Sequence, residues 1–177
     1  MKIVVLESSP HKKGSSNLLA EQFVRGAEEA GHRADVLDVA RMDLHPCLGC
    51  GSCGMDGECV RADENRVIRD ALLSADMVVL VTPIYYYGMS AQLKTVIDRF
   101  YSYNVKLSAR HLKAVLIAAA METGDDVMPY IAEHYKKLCR YLNFENCGMI
   151  LGTGCGSPPV TRTSAHMESA YRLGKSL

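Results

Sequence analysis

Four cysteines lie close together in this sequence, and their spacing is the feature that most directly indicates chemistry. They follow the pattern Cys-x2-Cys-x2-Cys-x5-Cys and are Cys47, Cys50, Cys53 and Cys59. Three thiols at positions i, i+3 and i+6 can surround one compact site, and a fourth after a longer gap can close it. The glycines between them leave backbone N–H groups free to face sulfur, a contact that tunes iron–sulfur centres. The segment is therefore predicted to form a single site with four thiolate ligands.

Three occupants of this cysteine loop stay open from the residues alone. The spacing approaches that of bacterial ferredoxins, but there the run ends in Cys-x3-Cys-Pro and its fourth cysteine serves another cluster. Here Val60 follows Cys59 and no second run exists. An iron–sulfur cluster is favoured over zinc, because zinc usually binds two cysteine pairs with a longer spacer. The third alternative is a loop without metal that holds reduced thiols or an occasional disulfide.

The remaining cysteines and the histidines show no comparable pattern. Cys139, Cys147 and Cys155 are predicted to be structural residues in or beside the core. The total of seven cysteines is odd, which argues against a disulfide framework. The six histidines lack metal-ligand pairing, and His45, next to the cysteine loop, is predicted to lie at the surface.

A serine-rich segment, Ser8 to Asn17, follows the first predicted strand and precedes a predicted helix. Helix starts offer free N–H groups and a partial positive charge, which suits a phosphate. The hydroxyls of Ser9, Ser15 and Ser16 and the amide of Asn17 can add donors. The alternative is that Ser15 or Ser16 only caps the helix. The segment is neither a Walker A loop nor a Gly-x-Gly-x-x-Gly turn, which disfavours P-loop NTPases and dinucleotide-type Rossmann folds.

Two further loops follow predicted strands. The first contains Tyr85, Tyr86, Tyr87 and Gly88, and it offers flat aromatic surfaces to a flat ligand. At least one of these tyrosines is expected to pack under the following helix or in a subunit contact instead. The second loop, 120–126, is polar and contains a glycine. A later segment, 152–156, is interpreted as a tight turn rather than a nucleotide fingerprint.

Apolar runs of strand length alternate with amphipathic stretches of helix length along the chain. The predicted strands are Lys2–Leu6, Ala34–Val39, Met77–Thr82, Ala114–Ala119 and Met149–Gly152. The predicted helices are Ser16–Ala30, Asn65–Leu73, Ser90–Tyr103, Asp126–Asn143 and Ala165–Leu173. Continuous apolar strands suit a parallel sheet covered on both faces, and right-handed crossovers then give a doubly wound α/β domain. The segment of about residues 41–63 is too long for an ordinary connection and is predicted to be functional.

The composition excludes several classes of protein. There are 20 basic residues (Lys and Arg) and 20 acidic residues (Asp and Glu), so the formal net charge is zero. A nucleic-acid binder normally has an excess of basic residues, so this class is disfavoured. No apolar run is long enough for a membrane span, and no signal peptide is visible. We expect a cytoplasmic protein with one domain over residues 1–177.

The loops together resemble the flavodoxin-like NADPH-dependent FMN reductases. The Ser8–Asn17 segment is similar to their phosphate loop, with Ser8 and His11 in place of the usual glycine and arginine. A second resemblance is to their flavin-ring loop and the helix that follows it. It is carried by Thr82–Tyr85, by Ser90–Lys94 and by the Asp98-Arg99 pair. The resemblance implies a three-layer sandwich with a five-stranded parallel sheet of order 2-1-3-4-5, and FMN bound at its edge. The implied FMN-binding residues are Ser9, His11, Ser15, Ser16, Asn17, Pro83, Ile84, Tyr85, Tyr86, Tyr87, Gly88, Met121, Glu122, Thr123 and Gly124.

The cysteine loop resembles that of the iron–sulfur flavoproteins, a branch of the same superfamily. That resemblance implies a 4Fe–4S cluster near the flavin, with Cys47, Cys50, Cys53 and Cys59 as its candidate ligands. Relatives with a similar loop can lack a cluster.

Three functions follow as hypotheses. The first is an FMN-dependent oxidoreductase that takes hydride from NAD(P)H and reduces a quinone-like, nitroaromatic, flavin or protein acceptor, with no protein side chain as nucleophile. The second is an electron-transfer protein that relays electrons between a cluster and FMN, with ferredoxin as donor. The third is a non-catalytic flavin-binding protein with a structural cysteine loop. The resemblance also implies a homodimer or homotetramer.

Overall fold

The computed structural model describes residues 1–177 and contains one parallel sheet with helices on both faces. Its strands are β1 (Lys2–Glu7), β2 (Arg33–Asp38), β3 (Met77–Tyr85), β4 (Gly88–Met89), β5 (Lys113–Ala119) and β6 (Glu145–Gly152). The parallel strands run in the order β2-β1-β3-β5-β6, and the short β4 pairs antiparallel with β3 alone. Without β4 this is the predicted order 2-1-3-4-5, so the flavodoxin-like fold is confirmed.

Seven α-helices and one 3-10 turn connect and cover the strands. The helices are α1 (Ser15–Glu29), α2 (Asn65–Leu73), α3 (Ala91–Arg99), α4 (Asn104–Ser108), α5 (Pro129–Tyr141), α6 (Pro158–Arg162) and α7 (Ala165–Lys175), with the 3-10 turn at Phe100–Tyr103. No helix is both long enough and apolar enough to cross a membrane.

Side chains of successive strand residues point to opposite faces of the sheet and so divide the core into two layers. In β1, Val4 and Leu6 pack with α2, α3 and α5, whereas Ile3 and Val5 pack with α1 and α7 on the opposite face. All four side chains are fully buried. A strand with both faces buried must be apolar at every position, which explains the continuous apolar runs in the sequence.

Two glycines allow α1 and α7 to cross closely. A Cβ atom at Gly26 would overlap the carbonyl oxygen of Tyr171, and one at Gly174 would overlap that of Phe23. The two helix backbones therefore meet where neither has a side chain. This crossing covers the outer face of the sheet opposite the cysteine loop.

The structure differs from the predicted elements at several boundaries. β3 extends to Tyr85 because the tyrosine loop folds back as a hairpin with β4. The helix predicted over Ser90–Tyr103 is α3 followed by a 3-10 turn. The fifth helix begins at Pro129, since proline is favoured in the first turn where its missing N–H is not needed. β6 begins at Glu145, before a bulge that the sequence pattern does not reveal.

Candidate functional site

The largest cavity near the strand ends has a volume of about 810 Å³ and lies where β1 and β3 end beside α1. Parallel α/β sheets bind ligands at this edge, where the strand order reverses. Eight of the predicted flavin-binding residues line it, namely Ser9, His11, Ser15, Ser16, Pro83, Ile84, Tyr85 and Met121. The cavity is also lined by Pro10, Lys12, Lys13, Gly14, Cys155, Gly156 and Pro158.

The loop after β1 forms a tight turn that leads into α1. The amide of Gly14 donates to the carbonyl oxygen of His11 at 2.8 Å, and the amide of His11 donates to Ser9 Oγ at 3.2 Å. A Cβ at residue 14 would lie 2.7 Å from Ser9 Oγ, so only glycine fits this turn. Gly14 is the N-cap residue, and Ser15 and Ser16 therefore lie in the first turn of the helix rather than capping it.

The electrostatics of this cavity suit a phosphate. No carboxylate lines it, two lysines do, and the first turn of α1 contains no acidic residue. The hydroxyls of Ser9 and Ser16 and the start of α1 can donate hydrogen bonds to an anion there. Ser15 Oγ also accepts a hydrogen bond from Thr161 Oγ1 at 2.8 Å, which ties the loop to α6.

Asn17 supports the loop from behind and does not line the cavity. Its Nδ2 donates to Glu7 Oε2 at 3.1 Å and to the carbonyl oxygen of Lys12 at 3.3 Å. Burial, followed by the charges of Asp38 and Glu21, raises the pKa of Glu7 to about 7, although Arg41 opposes the shift. A carboxyl that titrates near neutral pH therefore lies one hydrogen bond behind the candidate phosphate loop.

Ser8 occupies the position where the resembled family usually has glycine. It is fully buried, and its Oγ donates to the carbonyl oxygen of Val81 at 2.7 Å. Ser90 Oγ lies 2.9 Å from Ser8 Oγ and accepts from the amide of Leu93, which caps α3. The Ser8 hydroxyl thus connects the ends of β1 and β3 to the start of α3, a role that a glycine could not perform.

The tyrosine loop is a hairpin with an unfavourable backbone. Tyr86 and Tyr87 are its two turn residues, and their φ angles are 48° and 63°. Two positive φ values in a two-residue loop are the signature of a type I′ turn, which normally contains Asn-Gly. Strain of this kind clusters at functional sites. Tyr86 is fully exposed, and Tyr87 packs edge-on against Tyr130 at a centroid distance of 6.2 Å.

A second cavity of about 510 Å³ adjoins the first and shares Ile84, Tyr85 and Met121 with it. Its other lining residues include the predicted Tyr86, Tyr87 and Glu122. Gly88, Thr123 and Gly124 line neither cavity. Aromatic and apolar side chains dominate the lining of this second cavity, which suits a flat ligand.

The segment after β6 is the part of the site that sequence reasoning missed. Segment 152–156 does turn, with Gly154 at φ 68°, and its Cys155 is buried as predicted. The amide of Cys155 also donates to the carbonyl oxygen of Ala120 at 2.7 Å, so the segment packs beside the loop after β5 and completes the cavity wall. Its position after a parallel strand was the signal that could have identified it.

The four cysteines of the predicted site line one cavity of about 440 Å³. Cys47 and Cys50 are exposed, and Cys53 and Cys59 are half-buried. The cavity shares no lining residue with either of the two cavities at the strand ends. The loop is nevertheless linked to the phosphate loop, because Arg41 Nη2 donates to the carbonyl oxygen of Pro10 at 3.1 Å.

The cysteine loop supplies the four thiol ligands that an iron–sulfur cluster uses, but it does not form a ready site for a single ion. No three histidine, cysteine or carboxylate side chains converge closely enough to hold one metal ion. A cluster spreads its thiolate ligands over a larger volume. The amide of Gly49 donates to Cys47 Sγ at 3.4 Å, and the hydroxyl and then the amide of Ser52 hold the pKa of Cys50 below its ordinary value. The Ser52 contacts favour the thiolate form of Cys50.

Asp63 and Arg99 anchor this loop to α3. Burial alone would raise the pKa of Asp63, but hydrogen bonds from Arg99 and from the amides of His45 and Asn65 outweigh it and lower the pKa. Arg99 also donates to the carbonyl oxygens of His45 at 2.8 Å and Arg61 at 3.4 Å. The side chain of His45 lies half-exposed at the surface, as predicted.

The sheet order and the cavity at the strand ends define a flavodoxin-like α/β protein with a cofactor-sized site. The chain matches the NADPH-dependent FMN reductase family over residues 1–144, and it belongs to that family. The predicted FMN cofactor is thus confirmed at the level of the family.

Three individual proteins show how close the similarity is. An iron–sulfur flavoprotein of Methanocaldococcus jannaschii is 30% identical over 99% of this chain and 94% of its own length. One of Archaeoglobus fulgidus is 28% identical over 74% of this chain, which spans 60% of that relative's length. The NAD(P)H:quinone oxidoreductase of Methanothermobacter marburgensis has the same fold, with a TM-score of 0.76, 21% identity and coverage of 99% and 95% of the two chains.

Proposed function

We propose that this protein is an FMN-dependent oxidoreductase that takes electrons from NAD(P)H and passes them to a flat organic or protein acceptor. The observation that carries the proposal is the 810 Å³ cavity, which joins the loops after β1, β3, β5 and β6 at the edge where the strand order reverses. When bound there, FMN supplies the redox chemistry. The protein residues bind and orient the cofactor and its substrates.

Each wall of the cavity has a proposed role. Ser9, Ser16 and the start of α1 bind the phosphate, with Lys12 and Lys13 providing positive charge. Ile84, Tyr85 and Met121 hold the ring system, because they form the apolar wall that the two adjoining cavities share, and Pro83 extends this wall within the first cavity. His11 lies exposed where the resembled family has arginine, so it adds a hydrogen bond donor but no fixed charge.

The aromatic cavity beside Tyr85 is the proposed entry for the acceptor. Seven of its eight lining residues are hydrophobic, which favours quinone-like, nitroaromatic or flavin acceptors over small polar ones. The exposed rings of Tyr86 and Tyr87 offer stacking surfaces at its rim. They also offer apolar area to a second subunit, and a homodimer or homotetramer is part of the proposal.

A second candidate function is electron transfer through an iron–sulfur cluster. The specific observation in its favour is that Cys47, Cys50, Cys53 and Cys59 line one cavity. The name of the Methanocaldococcus jannaschii relative, which aligns with 99% of this chain, points the same way. In this reading a reduced ferredoxin donates single electrons that pass between the cluster and FMN.

Iron and flavin content of anaerobically purified protein tests both functions. For the first, we expect about one FMN per chain and bleaching of the flavin absorbance by NADH or NADPH. If neither nicotinamide bleaches bound flavin, the NAD(P)H role is wrong. If flavin binds but no donor reduces it, the protein is a non-catalytic flavin-binding protein, the third hypothesis. If no flavin binds, the whole proposal is overturned.

A matched pair of cysteine variants isolates the cluster. We expect about four iron atoms per chain after anaerobic reconstitution, with visible absorbance beyond that of flavin. Cys50→Ser should lose that iron, whereas Cys147→Ser, which changes a half-buried thiol outside the loop, should keep it. Iron near zero in the parent protein, or equal iron in both variants, contradicts the cluster without affecting the FMN proposal.

A further inference from the structure

A small polar cavity lies behind the cysteine loop, at the start of α2, and shares Cys59 and Arg61 with the cavity that the four cysteines line. It has a volume of about 100 Å³. Four arginines line it, namely Arg61, Arg66, Arg69 and Arg99. The only carboxylates in its wall are those of Glu58 and Asp63. We call it the arginine cavity, and its wall carries two more positive than negative side chains.

Ion pairs within the wall do not remove this excess. Arg99 is paired with Asp63, and Arg69 is paired with Glu58 and Asp70. Arg61 and Arg66 make no ion pair at all. The start of α2 is already served by Asp63, whose Oδ1 accepts from the amide of Asn65 at 3.2 Å, so the unpaired charges are those of the Arg61 and Arg66 side chains.

Buried donors in the wall lack partners. The Nε atoms of Arg61 and Arg99 are both buried without a hydrogen bond, and Arg99 is only 2% exposed. Buried N–H groups are almost always paired in folded proteins, and an unpaired one is unfavourable. Asn65, which is 4% exposed, has an unpaired Oδ1 in the same wall. The Nε–H groups of Arg61 and Arg99 can therefore donate to a ligand, and Asn65 Oδ1 can accept from one.

We propose that the arginine cavity binds a small inorganic anion, such as chloride or nitrate. The anion accepts hydrogen bonds from the guanidinium groups of Arg61, Arg66 and Arg99, and an accompanying water donates to Asn65 Oδ1. The volume supports this size of ligand. A water molecule occupies about 30 Å³ in the liquid, so the cavity has room for one small anion with water but not for a nucleotide.

Such an anion would stabilise the return of the cysteine loop to the sheet. Arg61 lies two residues after Cys59, Arg66 is the second residue of α2, and Arg99 ends α3. One anion between them joins three chain segments whose positive charges otherwise repel each other. Its binding should therefore suppress local opening of residues 58–66.

Hydrogen exchange of the full-length protein tests the proposal at residue level. At constant ionic strength and pH, chloride or nitrate is titrated against gluconate, which is too large for the cavity. With the small anion at about nine times its Kd, amide exchange in residues 58–66 should slow about tenfold, because the open state loses the anion. The effect should saturate, and amides in α7 should not respond.

Two variants and a diffraction experiment decide the outcome. Arg66→Gln, at an exposed position, should weaken the anion at least about tenfold by removing a charge-assisted hydrogen bond. Lys137→Gln removes an unpaired exposed charge on α5 and should leave the response unchanged. Crystals soaked in bromide should show anomalous scattering in the arginine cavity. Equal protection by gluconate, an unchanged response in Arg66→Gln, or a cavity holding only water would overturn the proposal.

Discussion

The guanidinium of Arg99 makes a two-pronged ion pair with the carboxylate of Asp63, and both side chains are almost completely buried. Nη1 lies 2.7 Å from Oδ2 and Nη2 lies 3.0 Å from Oδ1, and the side chains are 2% and 3% exposed. Because Arg99 also donates to the carbonyl oxygens of His45 and Arg61, one guanidinium joins both ends of the cysteine loop to the end of α3. The cysteine loop is long, but both of its ends are fixed to α3 by these contacts.

Asp63→Asn should be strongly destabilising. The substitution leaves the buried charge of Arg99 without its partner, which typically costs about 3–5 kcal/mol in free energy of unfolding. Denaturant unfolding measures the loss, and limited proteolysis should show faster cleavage within residues 41–63. Glu133→Gln breaks an exposed pair with Arg140 and should change stability by less than about 1 kcal/mol. Similar midpoints for the two variants would contradict the anchoring role of Asp63.

Lys13→Glu should weaken FMN binding. Lys13 is exposed and lines the candidate phosphate cavity, so the substitution reverses a charge near the anion without disturbing the core. We expect an increase in Kd of about fivefold to tenfold, which shrinks as salt screens the charge. Flavin fluorescence titration of the apoprotein measures it. Lys137→Glu on α5 is the charge-matched control, and an equal effect of the two variants would indicate a general electrostatic effect instead.

Stability should depend on Glu7 between about pH 4.5 and about 7. Its pKa rises from 4.5 to about 7 on folding, so in that range the folded state binds a proton that the unfolded state has released. The free energy of unfolding therefore falls as the pH rises through this range. Glu7→Gln can still accept from Asn17 and should be more stable than the parent above pH 7, by about 1 kcal/mol after solvent screening.

The control for Glu7 is Glu28→Gln, an exposed unpaired carboxylate on α1. It should leave the pH profile of the parent protein unchanged. Thermal unfolding at pH 5, 6, 7 and 8 gives the comparison. Parallel profiles for the parent and Glu7→Gln would show that Glu7 titrates in its ordinary range.

Tyr86→Asn should stabilise the protein while weakening its ligand site. Asparagine tolerates the φ of 48° at this turn position far better than tyrosine, so relief of strain should add about 0.5–1 kcal/mol to the free energy of unfolding. The ring is fully exposed, so its loss leaves no cavity in the core. We expect a higher Tm together with weaker binding of the flat acceptor, measured by steady-state KM.

Tyr141→Asn is the matched control for the hairpin, because Tyr141 is an exposed residue at the end of α5. It should lower the Tm slightly, since asparagine has a lower helix propensity outside a cap. A lower Tm for Tyr86→Asn would show that the turn is not strained. An unchanged KM would remove Tyr86 from the acceptor site.

Local sequence patterns were sufficient for the alternation of strands and helices and for the grouping of the four cysteines, and the resemblance to the FMN reductases supplied the strand order. Continuous apolar strands can only be buried on both faces, and the serine-rich segment before a helix indicated the loop at the end of β1. The cysteines are neighbours in sequence, so any compact loop brings them together. The alternative interpretation, that Ser15 or Ser16 only caps the helix, is wrong because Gly14 is the N-cap residue and α1 begins at Ser15.

Only the tertiary structure revealed the contacts between distant segments. Arg99 and Asp63 are 36 positions apart, and Cys155 joins the cavity at the strand ends through a hydrogen bond to Ala120, neither of which a local pattern encodes. The strain at Tyr86 and Tyr87 appears only when β3 pairs with β4. The arginine cavity is likewise invisible in the sequence, because its charges come from three elements that packing alone brings together. The sequence by itself thus identified the residues that could do chemistry, and long-range packing decided which of them share a cavity.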